Sequence, residues 1–213
     1  MLVAVLGAIP ASLVLTASQA LLTTPLILQA EVYETGIHLT ADSAEYDWMR
    51  LFSTFLANLV LALGFGLMLS ALYVFRRPTG LAQGLSWGLA GLTVFFLAPS
   101  LGLPPELPGT EAASLISRQA WWLVTVICTA SGLALLFLQQ RGAWRLAGLM
   151  LLVIPHLGGV LHPDIAGSLA PESLILQFRL ATLACNTLFW LLLGTLTAFT
   201  FLRVSPEYEQ IDE

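Results

Sequence analysis

The stretch LFSTFLANLVLALGFGLMLSALYVF fills positions 51–75 and ends on Arg76-Arg77-Pro78. It carries no formal charge, and a helix of that length exceeds the ~30 Å hydrocarbon core of a bilayer. Such a run reads as a transmembrane helix, with the arginine pair as its water-facing stop. Similar runs lie at 2–28, 81–97, 120–138, 144–161 and 180–202. The expected fold is therefore all-α: a polytopic membrane protein, a bundle of six transmembrane helices in a single transmembrane domain over 1–213. The runs at 81–97 and 144–161 sit near the lower length limit for crossing, and the second contains Pro155. A five-span arrangement with one of them re-entrant is the alternative.

The composition agrees. Of 213 residues, 57% are hydrophobic and 10% charged, against about 25% charged in a soluble domain. Mean hydropathy is +0.85. A water-soluble fold of this size leaves roughly a third of its surface exposed, too much for this amount of apolar side chain to hide. The first run could be read as a secretory signal, since Ala17-Ser18-Gln19-Ala20 offers small residues. It lacks a basic n-region and stays apolar through Leu28, so a retained helix is expected.

Charge orients the runs. Arg76, Arg77, Arg141 and Arg145 follow the second and fourth runs without any acid among them, and Arg203 follows the sixth. Glu31, Glu34, Asp42, Glu45, Asp47, Glu106, Glu111, Asp164 and Glu172 follow the first, third and fifth. Arg50, Arg118 and Arg179 each stand just before the next run. By the positive-inside rule both termini and the arginine loops are cytoplasmic and the acidic segments lie outside.

Several function classes fall away. All eight basic residues are arginine, which excludes a P-loop lysine, a kinase lysine and a Schiff-base lysine. A net charge of −5 argues against nucleic acid as a partner. Cys128 and Cys185 fall inside apolar runs and read as packing residues. No HExxH, CxxC, Ser-His-Asp order or phosphate loop is present, so no enzyme is expected.

Gly80, Gly84 and Gly88 recur every fourth residue into the third run, a spacing that lets helix backbones approach closely. Trp48, Trp87, Trp121, Trp122, Trp144 and Trp190 include several near run ends and read first as interfacial anchors. Among polar groups inside the runs, Asn58 and Asn186 stand out.

Three places carry candidate chemistry. If the first helix continues past the membrane surface, Glu31, Glu34 and His38 share one face, a donor set suited to a divalent first-row metal. Asp42, Glu45 and Asp47 extend the negative field there; the plainer reading is a solvated acidic loop. Pro155-His156 and His162-Pro163-Asp164 form the second place. Proline frees a backbone carbonyl, and an imidazole inside a span is a functional candidate by default; the alternative is a histidine hydrogen-bonded across the bundle. The third is the segment from Pro99 to Gly109, whose four prolines argue against helix and for a rigid interfacial cap with Glu106 as its one charge.

These residues also resemble a family. Leu28-Gln29-Ala30-Glu31-Val32-Tyr33-Glu34 is similar to the motif that closes the first span of CbtA, a cobalt transporter subunit family. The block Phe95-Phe96-Leu97-Ala98-Pro99-Ser100-Leu101-Gly102-Leu103-Pro104-Pro105-Glu106-Leu107-Pro108-Gly109 resembles it most specifically. So do Arg118-Gln119-Ala120-Trp121-Trp122, Pro155-His156, His162-Pro163, and Phe178 through Asn186 running into Phe189-Trp190. The resemblance covers nearly the whole chain. It implies cobalt uptake for cobamide (cobalamin) biosynthesis at the prokaryotic cytoplasmic membrane. It also implies a small single-span partner with a histidine-rich end, CbtB. By position it makes Glu31, Glu34, Glu106, His156 and His162 the candidate metal path.

The expected function is a membrane subunit for uptake of a divalent transition-metal cation, most simply Co2+. No cofactor is expected to be bound permanently, and membrane lipid is the surrounding partner. Association into a homo-oligomer is compatible with the pattern. The rivals are a non-transporting scaffold or assembly partner with an acidic outer face, and an enzyme on a lipid-borne substrate. The depth of His156 favours transport over a scaffold, and the missing catalytic pair speaks against the enzyme.

Overall fold

The computed structural model describes residues 1–35, 48–111, 113–158 and 167–204. Seven helices lie within them: α1 Leu2–Leu22, α2 Thr24–Thr35, α3 Trp48–Phe75, α4 Leu81–Ser100, α5 Leu115–Leu138, α6 Gly142–Leu157 and α7 Glu172–Val204. Five of them, α1, α3, α4, α5 and α7, are long and apolar enough to cross a membrane.

The remaining expected span, the fifth run at 144–161, is the 16-residue α6, about 24 Å at 1.5 Å per residue. It ends at Leu157 rather than near residue 161. Pro155 occupies its last turn and Gly158 caps it.

Two other boundaries move, each for a local reason. The first run, expected to be one helix over 2–28, breaks at Thr23, which sits between α1 and α2. Pro25 stands in the first turn of α2, where its missing N–H is tolerated but from where it cannot continue the α1 ladder. The third run passes through Pro99 to Ser100 instead of stopping before it. Thr93–Leu97 form a π turn, and the Ala98 N–H donates to the Thr93 carbonyl five residues back. This wider register absorbs the proline within the helix.

Contacts divide the chain into two compact units. The first holds 1–25, 38–89 and 181–213. Its buried positions on α1 are mostly small, among them Ala4, Gly7, Ala8, Ala11, Ser12 and Thr16. Large apolar side chains face outward instead, as Leu13 on α1 and Val60 on α3 do. Small inside and large outside is the pattern expected where lipid competes with protein for apolar contact.

The glycine spacing in α4 meets this unit's α7. A Cβ on Gly84 would stand 2.9 Å from the Gly194 carbonyl oxygen, and one on Gly88 would strike the Trp190 carbonyl. Gly80, the first of the series, has nothing within 4 Å. Asn58 of α3 donates from Nδ2 to Thr16 Oγ1 (3.0 Å) and Gln19 Oε1 (2.7 Å) of α1. Asn186 donates to the carbonyl of Thr182 on its own helix. Trp190 is core, not anchor, at 2% exposure beside Phe65 and Phe189.

The second unit holds 26–37 and 90–180. α5 and α6 form an antiparallel hairpin here. Ala30, Leu107, Ala170, Leu174 and Phe178 make a small core. The segment after Pro99 leaves the helix at Leu101 and is tied to 167–170 by a Thr110–Ser168 bridge and a Leu169 N–H to Gly109 carbonyl bond. Gly109 takes φ 74°, a left-handed backbone that glycine adopts without strain.

Candidate metal path

The first turns of α5 gather two of the five expected site residues. Ser114 caps the helix, its hydroxyl accepting from the Ser117 N–H. Arg118 follows in the first turn and Trp121 one turn later. The Nη2 of Arg118 lies 3.2 Å from Oε2 of Glu106. The Trp121 ring meets His156 of α6 edge-on, with centroids 5.8 Å apart. The same ring is pressed against Gly102 in the proline-rich segment. Glu106 and His156, fifty residues apart in sequence, thereby each contact a residue of α5, the two contact residues lying about one turn apart.

Glu106 is about a quarter exposed and Arg118 about a third. A pair this open to water adds little to stability, but it fixes where the carboxylate points. The pair lies in an open groove of about 1080 Å³ whose apolar walls include Phe95, Leu103, Leu107 and Trp122. A cation arriving at Glu106 has to compete with the guanidinium.

His156 is half-buried in the last turn of α6, one residue from its end. It is thus further from the middle of the helix than the expected run to 161 implied. Pro155 beside it is buried and leaves the Leu151 carbonyl without its helical N–H donor.

Glu31 and Glu34 both fall on α2, a helix separate from α1 rather than its continuation, three residues apart and so on neighbouring positions of one face. Glu31 is half-buried, next to the core residue Ala30. The side chain of Glu34 lies outside the described residues, as do His38, Asp42, Glu45, Asp47, His162 and Asp164. Among the described residues no three His, Cys, Asp or Glu side chains stand close enough to hold a metal together.

Arg118 and Trp121 are the residues that site reasoning from sequence passed over. A signal was available: a lone arginine opening an apolar run just after a loop that holds Glu106 and Glu111 invites pairing with one of them. Trp121 was read as an anchor because its partner is contributed by another helix.

The protein family described as probable cobalt transporter subunit (CbtA) matches residues 1–202. Neither a curated protein nor a solved structure matches the chain. The family match spans every described helix almost to its end, so this multi-pass membrane protein belongs to the CbtA family of cobalt transporter subunits.

Proposed function

We propose that the chain is the membrane subunit through which Co2+ enters a prokaryotic cell for cobamide biosynthesis, without catalysing a reaction of its own. The observation that carries this reading is the family match over 1–202. Residues 1–213 act as one transmembrane domain in the cytoplasmic membrane, with both ends inside and α6 completing six crossings. Acidic residues outside gather the hydrated cation. Glu31 and Glu34 with His162 take the place of part of its water shell, and the ion passes His156 on the way in. Glu106 joins the route by exchanging its bond to Arg118 for the cation. Each site is weak enough to release what it binds.

What supports the route is the Trp121 contact, which fixes the His156 ring, and the Arg118 contact, which fixes Glu106 on the same helix. The family describes a subunit, so a partner completes the transporter, and a small single-span protein with a histidine-rich end suits the delivery of a borderline cation. One observation favours the scaffold reading: no described group of three ligands could hold a metal.

Cobalt uptake into proteoliposomes decides between them. An inside-negative potential contributes about 2.3 kcal/mol per charge per 100 mV, and a divalent ion feels about twice that. Uptake should rise with the potential and with a histidine-rich partner, and His156→Ala should lower the initial rate about tenfold at equal insertion. An unchanged rate removes His156 from the route; no uptake under any condition leaves the scaffold.

A further inference from the structure

We infer that the α5–α6 seam holds a second, oxygen-donor station for the transported cation, made by the Thr125 and Thr129 hydroxyls beyond His156. This deepens the uptake reading and rests on it.

The seam is defined at both ends. Trp121 meets His156 at one, and at the other a Cβ on Gly132 would stand 2.8 Å from the Gly148 carbonyl oxygen and 3.0 Å from Leu152. At 3.6 residues per turn, Trp121, Gly132 and Thr125 fall within about 40° around the α5 axis, and Thr129 about 40° further. Both threonines therefore stand on the side of α5 that meets α6, about 6 and 12 Å along the axis from Trp121.

Their burial is nearly complete, 0% for Thr125 and 1% for Thr129, and neither Oγ1 has a hydrogen-bond partner. A helical threonine ordinarily bonds the carbonyl three or four residues back. Thr16, Thr195 and Thr200 of this chain do so. Thr125 and Thr129 do not, although a buried hydroxyl without a partner is costly. Across the seam, Pro155 deprives the Leu151 carbonyl of its helical donor. Two hydroxyls and a carbonyl thus lie along one helix pair with hydrogen-bonding capacity to spare.

The guest that suits them is a divalent cation still carrying water. Its water molecules donate to hydroxyl and carbonyl oxygens, and the oxygens themselves are acceptable hard donors. Neutral donors bind such an ion weakly, which suits a step after an imidazole in a path that must release its cargo. At the far end the two glycines bring the helix backbones close, with Leu135, Leu136 and Leu152 packed around them.

Valine has the shape of threonine without the hydroxyl, which makes the test direct. The full-length chain is reconstituted in proteoliposomes and supplied with cobalt. Thr125→Val with Thr129→Val should reduce the initial uptake rate about tenfold, while the double serine variant keeps it within twofold. Double-valine uptake within twofold of the native chain overturns the station and leaves the uptake reading standing. A native chain that takes up no cobalt overturns both.

Cys128, half-buried between the two threonines, gives a second measurement that needs no variant. A hydrophilic maleimide should alkylate it, and cobalt should slow that reaction several-fold, with buried Cys185 as the unreactive reference. A Cys128 rate indifferent to cobalt overturns the station even if the valine variants fail to fold.

Discussion

Trp121 carries consequences that its position in the sequence hides. Its ring lies against Gly102 and also meets His156, so it couples the proline-rich segment to the end of α6. The titratable members of the candidate path were legible because an imidazole or carboxylate in so apolar a chain stands out. What holds them was not, because a tryptophan near the end of a run looks the same whether it faces lipid headgroups or a histidine. Trp190 makes the same point from the other side: it is buried in the core of its unit. The carboxylates should accordingly differ in behaviour. Glu31→Gln with Glu34→Gln should raise the external cobalt needed for half-maximal uptake several-fold and leave the maximal rate nearly unchanged, as expected for groups that gather the ion. Glu106→Gln removes an arginine partner, so it should lower the maximal rate with little change in the half-maximal concentration. Uptake against cobalt concentration separates the two; an unchanged half-maximal concentration in the Glu31 and Glu34 variant would return these residues to the role of solvated surface.

At the scale of elements, the apolar runs announced the helices, and the charge at their ends announced most of the boundaries. The departures cluster at proline. Pro25 divides the first run, Pro99 is absorbed by a π turn, and Pro155 lies in the closing turn of α6. The same residue gives three outcomes because each depends on whether the following residues can keep a helical register, and sequence alone does not state that register. Glycine spacing was readable in the same partial way: Gly84 and Gly88 do make a close helix contact, but Gly80 makes none and the partner is α7. The cost of filling that contact is measurable. A methyl group on Gly88 meets the Trp190 carbonyl, which belongs to backbone and cannot swing aside. Gly88→Ala should therefore destabilise the protein by about 1–3 kcal/mol, the usual penalty for overpacking. Gly64, on exposed α3 surface with nothing within 4 Å, should accept alanine with no loss, since alanine is the better helix former by about 1 kcal/mol. Thermal unfolding of both variants in the same detergent reads the difference, and equal melting temperatures would mean that α4 and α7 stand further apart.

For the whole molecule the open quantity is the parity of crossings, and it turns on α6. Counted by length, five helices cross and α6 falls short. Counted by charge, six cross, because Arg141 and Arg145 at the start of α6 and Glu172 after it belong on opposite sides. The shortfall of α6 is about 6 Å against a 30 Å core, within the range that local thinning of the bilayer or water-filled surroundings accommodate at modest cost. A re-entrant α6 would leave Glu172 on the side of the arginine loops and put Arg203 outside, which breaks the alternation, so the charge argument carries more weight. It predicts that α6 crosses. Gly142 has nothing within 4 Å and Ser173 is exposed, so either position can carry a cysteine without repacking. In a chain whose two native cysteines are replaced, an impermeant thiol reagent applied outside intact cells should label Ser173→Cys and leave Gly142→Cys untouched until the cells are opened. Labelling of both from the same side would make α6 re-entrant, put the two termini on opposite faces, and move His156 out of any path that traverses the bilayer beside this helix.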